Sequence, residues 1–125
     1  MKRVLVIEDD EKIQESILDL LELRNYQVYV ASNGREGIRI AQEKVPDVIL
    51  CDIMMNNLNG FSVLQAIRAI PALAKTPFVF VSALSEQKYV DMAMNQGANR
   101  FVIKPFRADD LYNAIEDSPS NPQLL

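Results

Sequence analysis

The 125-residue chain contains no histidine. That absence removes a phosphohistidine carrier, a His-based hydrolase and a His-ligated zinc site together. It has one cysteine, Cys51, so no internal disulfide forms, and its place in an apolar run marks it as a packing residue. No apolar run approaches the length needed to span a bilayer. Only four apolar residues, Val4 to Ile7, follow Met1-Lys2-Arg3 before acid begins, which does not read as a signal peptide. A cytoplasmic protein without membrane partners is expected. Basic excess is missing too: the net charge is −4, so the chain carries no footprint for direct nucleic-acid binding. Internal repeats and low-complexity segments are absent. One domain with its own core accounts for this length.

What is present is an alternation of short apolar runs with amphipathic stretches. Val4-Leu5-Val6-Ile7 reads as a buried strand, ended by Glu8-Asp9-Asp10-Glu11. Ile13, Ile17, Leu20 and Leu21 recur at helical spacing, which predicts a helix from Glu11 to about Leu23 with Asn25 as its stop. Gln27 to Ala31 is a second strand. Asn33, with Glu36 three residues on, is an N-cap signature for a helix whose apolar face is Ile38, Ala41 and Val45, closed by Pro46. Val48-Ile49-Leu50-Cys51 is a third strand, ending at Asp52. Asn59-Gly60 opens a third helix with Phe61, Leu64 and Ile67 inward, and Pro71 and Pro77 bracket a loop. Phe78 to Val81 is a fourth strand, ending at Ser82. Val90, Ala93 and Met94 mark a fourth helix, stopped by Gly97. Phe101-Val102-Ile103 is the fifth strand, ending at Lys104-Pro105, and Leu111, Ala114 and Ile115 give a short last helix. Residues 1–117 form the domain, and residues 118–125, with Pro119 and Pro122, read as a tail or the start of a linker. Such alternation specifies an α/β, flavodoxin-like, doubly wound fold: a five-stranded parallel sheet with five helices on its two faces. The rules for such folds give the strand order 2-1-3-4-5, with the topological switch point between strands 1 and 3.

Reactive side chains stand at the C-terminal ends of four strands: Glu8 and Asp9, Asp52, Ser82, and Lys104. All project at the edge where open α/β sheets bind ligands. Asp10 and Glu11 are better read as acids at a helix N-terminus. Three carboxylates this close repel one another and tend to hold a proton unless a divalent cation relieves them. An all-oxygen donor set without histidine suits Mg²⁺. Lys104 and Ser82 supply a charge and a hydroxyl for phosphoryl oxygens, and no general base is present. The set fits Asp52 as an aspartyl-phosphate acceptor.

On these residues the chain resembles bacterial two-component response-regulator receiver domains of the chemotaxis-regulator type. The resemblance is carried by Val4-Leu5-Val6-Ile7-Glu8-Asp9, Leu50-Cys51-Asp52 with Gly60 eight residues on, Val81-Ser82-Ala83, Gly97-Ala98 and Lys104-Pro105-Phe106. It implies that a histidine kinase or phosphotransfer protein donates a phosphoryl group to Asp52. It implies Mg²⁺ held by Asp9, Asp52 and the backbone carbonyl of Met54, with Glu8 acting through water. It further implies Ser82 and Lys104 as phosphoryl-binding residues, Ser82 with Phe101 as a switch acting on the helix 4–strand 5–helix 5 face, and a cis Lys104–Pro105 bond. Met54 and Leu84, each two residues past a site residue, would flank the attacking water, and neither hydrogen-bonds it strongly. Slow loss of the phosphoryl group is expected. The chain departs from the family pattern at Met55-Asn56, where Met-Pro is usual, and at Asn59, where an acid precedes the glycine. The missing proline frees a backbone angle beside the metal ligand.

Rival readings exist. An FMN-binding flavodoxin-like protein needs a Ser/Thr/Gly-rich loop after strand 1, and Glu8-Asp9-Asp10-Glu11 repels phosphate there. A Mg²⁺-dependent aspartyl-phosphate hydrolase of the haloacid dehalogenase kind wants a second Asp two residues after the nucleophile, where this chain has Met54. A degenerate receiver that only binds partners is disfavoured by intact Asp52, Ser82 and Lys104. The domain is thus expected to be no enzyme beyond assisting its own phosphoryl transfer and slow dephosphorylation. No output segment is legible after Asp117, so the output partner or domain is unassigned. Asn99-Arg100 before Phe101, and the lack of Lys or Arg in the last helix after Arg107, do not match the pairing face of receivers that dimerise for DNA binding.

Overall fold

Apolar runs flanked by acids and turn residues become strands here because both of their faces are covered by helices. In the computed structural model, which describes residues 1–56 and 58–117, these are β1 (Arg3–Ile7), β2 (Gln27–Ala31), β3 (Val48–Cys51), β4 (Phe78–Ser82) and β5 (Arg100–Ile103). The helices between and after them are α1 (Glu11–Leu23), α2 (Gly34–Lys44), α3 (Gly60–Ala69), α4 (Gln87–Asn95) and α5 (Ala108–Glu116). A 3₁₀ turn at Pro71–Leu73 occupies part of the proline-bracketed loop. All neighbouring strands are parallel, in the order β2-β1-β3-β4-β5. The expected order is therefore observed. The expected tail at 118–125 lies outside the described residues. Among those described, no helix is long and apolar enough to cross a membrane.

Alternation along the strands sorts the core into two layers. Leu5, Ile7, Ile49, Cys51, Phe78 and Phe80 face α2, α3 and α4 through Ala41, Val63, Leu64, Ile67 and Ala93. Val4, Val6, Val48, Leu50, Val79, Val81 and Val102 face α1 and α5 through Ile17, Leu21, Leu111 and Ile115. Consequently α1 leaves β1 toward one face while α3 leaves β3 toward the other. That divergence opens a crevice above the adjacent ends of β1 and β3.

Local signals set the boundaries. Asn33 and Asn59 cap their helices by accepting from the N–H groups of Glu36 and Ser62, and Asp10 caps α1 by accepting from those of Lys12 and Ile13. Asn25 (φ 61°) and Gly97 (φ 105°) turn the chain out of α1 and α4. One expectation needs correction. Val45 is not on the inner face of α2: it ends the helix in the left-handed region (φ 45°, ψ 69°) and is 45% exposed. The fourth helix is observed where Val90, Ala93 and Met94 mark it, with Ala93 buried and Met94 exposed. Phe61 packs half-buried against the inner layer as expected, its ring 5.3 Å from that of Phe80, and Val63 joins Leu64 and Ile67 as a buried residue of α3.

A β-branched residue at positive φ carries strain of about 1–2 kcal/mol, and Asn tolerates that region better. Val45→Asn should therefore raise the urea midpoint by the equivalent of about 1 kcal/mol. An unchanged or lowered midpoint would show that the site is unstrained.

Candidate functional site

The crevice is lined from three strands. The N–H of Glu8 extends the β1–β2 ladder to the carbonyl of Ala31 at 3.0 Å, and the N–H of Asp52 donates to the carbonyl of Ile7 at 3.1 Å. These backbone bonds fix the two acids side by side. The N–H of Lys104 donates to the carbonyl of Ser82 at 2.8 Å, which places the lysine just past β5. Its long side chain then crosses the end of β4 toward β3 and β1.

Lys104 Nζ lies 2.7 Å from Glu8 Oε1 and 3.1 Å from Asp52 Oδ2. Glu8 is 2% exposed and Asp52 8%. Glu8 Oε2 accepts the N–H of Asp10 at 3.3 Å, and Asp52 Oδ1 accepts the N–H of Ile53 at 2.7 Å. Each buried carboxylate is thus satisfied by one backbone N–H and one shared ammonium. Burial pushes the Glu8 carboxyl up to about 7; the hydrogen bond from Lys104 opposes this and the charge of Asp52 adds to it. Repulsion between the acids, the cause expected from sequence, is secondary to desolvation. Burial alone would lower the Lys104 pKa, but the two carboxylates outweigh it and raise it, so the amine stays charged.

Asp9 stands at the rim. One oxygen each from Glu8, Asp9 and Asp52 lie within 4.8 Å of one another. The Asp9 carboxylate makes no hydrogen bond or ion pair with any described residue, so it is available to a ligand. Oxygen-only donors with excess negative charge have the chemistry that suits a Mg²⁺ ion. Glu8, held by Lys104, is placed less directly than Asp9. Gly60 makes the arrangement possible: a Cβ there would stand 2.3 Å from the carbonyl oxygen of Asp52.

The remaining expected residues are placed as follows. Ser82 is buried, and its Oγ accepts the N–H of Leu84 at 3.2 Å, with no described residue accepting its own proton. Phe101 is half-buried, its ring 6.1 Å from that of Phe80. Leu84 packs against the same core layer. Met54 is 67% exposed on the rim of a cavity of about 380 Å³, shared with Met55 and Phe61. The Lys104–Pro105 bond is cis. Sequence reasoning missed Gln14, whose Nε2 donates to the carbonyl of Glu8. Its signal was a polar residue at the 14-17-21 spacing of the buried stripe that contains Ile17 and Leu21.

The family model described as response regulator receiver domain matches residues 4–116. The transcriptional regulatory protein DltR of Streptococcus agalactiae is 36% identical over 113 residues, which is 90% of this chain and 50% of that protein. The chain thus spans about half of that relative. The chemotaxis protein CheY of Bacillus subtilis is 32% identical over 114 residues, 90% of this chain and 93% of that one. The solved structure of the chemotaxis protein CheY4 of Vibrio cholerae superposes with a TM-score of 0.90 at 26% identity, over 95% of this chain and 99% of its own.

The raised Glu8 pKa has a definite sign in stability. Folding favours the protonated carboxyl, so this group's contribution is complete below about pH 4.5 and is lost as pH rises through about 7. In EDTA, the urea midpoint of the wild type should fall between pH 5 and pH 8 relative to Glu8→Gln. Parallel profiles would show that Glu8 titrates in the ordinary carboxylate range.

Proposed function

The chain belongs to the response regulator receiver domain family, a family of signalling domains, and on that premise we propose that Asp52 is its phosphoacceptor. The observation that carries the reading is the convergence of Glu8, Asp9 and Asp52 with Lys104 at one crevice. The donor is a phosphohistidine of a histidine kinase or phosphotransfer protein. An Asp52 carboxylate oxygen attacks phosphorus, the new O–P bond forms as the N–P bond breaks, and the imidazole leaves.

Asp9, Asp52 and the Met54 backbone carbonyl would hold Mg²⁺, with Glu8 acting through water, and the ion would neutralise charge on the carboxylates and the phosphoryl oxygens. Lys104 exchanges an Asp52 oxygen for a phosphoryl oxygen without leaving the crevice. Ser82 donates its hydroxyl proton to a second phosphoryl oxygen. Drawing Ser82 toward the site frees space that Phe101 fills by turning inward, which shifts the population of packings at the α4–β5–α5 face. The shallow seating of α4, with only Ala93 buried and no side-chain cap at Glu86, supports such a shift. The apolar Met54 and Leu84 offer little to orient a hydrolytic water, so the phosphoform persists. The protein acts as a signalling receiver with no external substrate to turn over. It works in the cytoplasm on an output partner or on a domain beyond this segment.

Acetyl phosphate with Mg²⁺ should add one phosphoryl mass, lost in Asp52→Asn and blocked by EDTA. A phosphoryl group mapped to Ser82 or Ser85 would defeat the assignment. In the same preparation, amide shifts over Ser85–Gln96 and Arg100–Ile103 should move, and a response limited to the crevice would remove the switch. After donor removal the wild type should decay more slowly than the Met54→Asn Leu84→Glu variant, by about tenfold or more. Equal decay would remove the role of these two side chains.

A further inference from the structure

Because the Asp9 carboxylate has no partner among the described residues, its direction is set by the backbone that carries it. The ladder holds that backbone only as far as the N–H of Glu8. The next polar group is the carbonyl of Glu8, one half of the Glu8–Asp9 peptide. It accepts from Gln14 Nε2. The same amide nitrogen donates to Ser32 Oγ at 3.2 Å, just past β2. Gln14 is itself half-buried on α1, on the stripe that carries the buried Ile17 and Leu21. The peptide leading into Asp9 is therefore pinned by a side chain whose own position is fixed at both ends.

We propose that Gln14 is the positioning residue for Asp9: its amide fixes the Glu8–Asp9 peptide and so aims the Asp9 carboxylate at the divalent cation. The proposal rests on the Mg²⁺-dependent phosphoacceptor reading and extends it to a polar residue outside the ligand set. The physical case is preorganisation. A carboxylate that makes no hydrogen bond of its own sweeps a wide arc once its peptide plane is released. Each orientation pointing away from Glu8 and Asp52 is then lost to binding. Gln14→Met removes the donor while keeping an unbranched side chain of similar length, so the buried stripe of α1 is preserved.

The test is a Mg²⁺ titration followed by amide chemical shifts, with no donor and no activity involved. Outer partners that orient a ligand typically change metal affinity by about 10- to 100-fold. Gln14→Met should raise the Mg²⁺ Kd by about tenfold. In an Asp9→Ala background the same substitution should change Kd by less than about twofold, because no carboxylate remains to be aimed. Weakening of equal size in both backgrounds would mean that Gln14 only supports the fold, and would overturn the proposal. Ser32→Ala, an exposed change that removes the second acceptor of the Gln14 amide nitrogen, should weaken binding in the same direction by less and stands in if Gln14→Met does not fold. Unchanged Kd values in both variants would overturn the Gln14 assignment alone. A wild type with no saturable response to Mg²⁺ would instead overturn the reading of the site.

Discussion

Two buried carboxylates share one ammonium, and the rest of the site depends on that imbalance. Glu8 and Asp52 are both removed from water, and Lys104 is the charge that reaches both. A buried acid without a partner protonates or destabilises the fold. Lys104 opposes this for the pair without cancelling it, since burial still pushes the Glu8 carboxyl up to about 7, and it leaves net negative charge, to which Asp9 adds another carboxylate at the rim. The surplus gives the crevice its appetite for an oxygen-loving divalent cation. It also means that Lys104 can move to an incoming anion only when something else balances the acids.

The sheet supplies the geometry at little cost because the two ends of the strands do different work. At the N-terminal end, Arg68 of α3 donates to the carbonyls of Leu73, Thr76 and Gly97 and to Asn99 Oδ1, and Asn99 Oδ1 also accepts the N–H of Phe78. That hub ties α3, the 3₁₀ turn, β4 and the start of β5 into one body, using neutral acceptors throughout. At the C-terminal end, Gly60 lets α3 begin against the carbonyl of Asp52. The polar ties between elements thus gather at one end of the strands, and the reactive groups gather at the other.

Much of this was legible in the sequence. Strands buried on both faces announce themselves as continuous apolar runs, and the carboxylates, Ser82 and Lys104 were recognisable because each follows such a run directly. Asn33, Asn59 and Gly97 act locally, so their signals were sufficient. Val45 misled because helical periodicity does not reveal where a helix stops. Long-range polar pairing left almost no trace. Nothing near Lys104 in sequence indicates that it sits between Glu8 and Asp52 rather than waiting for a phosphoryl oxygen. Gln14 and Arg68 are likewise understood only through the carbonyls they meet across the fold. The main cause of the raised Glu8 pKa, desolvation, also required the burial of the folded chain.

The claim that one lysine balances the buried acids is tested most directly by the stability of Lys104→Met with and without Mg²⁺ at pH 8. Leaving two buried carboxylates uncompensated should cost about 3–5 kcal/mol in EDTA. Saturating Mg²⁺ should recover much of that loss, because it supplies the missing positive charge. A loss of the same size in EDTA and in Mg²⁺ would contradict the account, since it would trace the effect to packing of the lysine stem and not to charge.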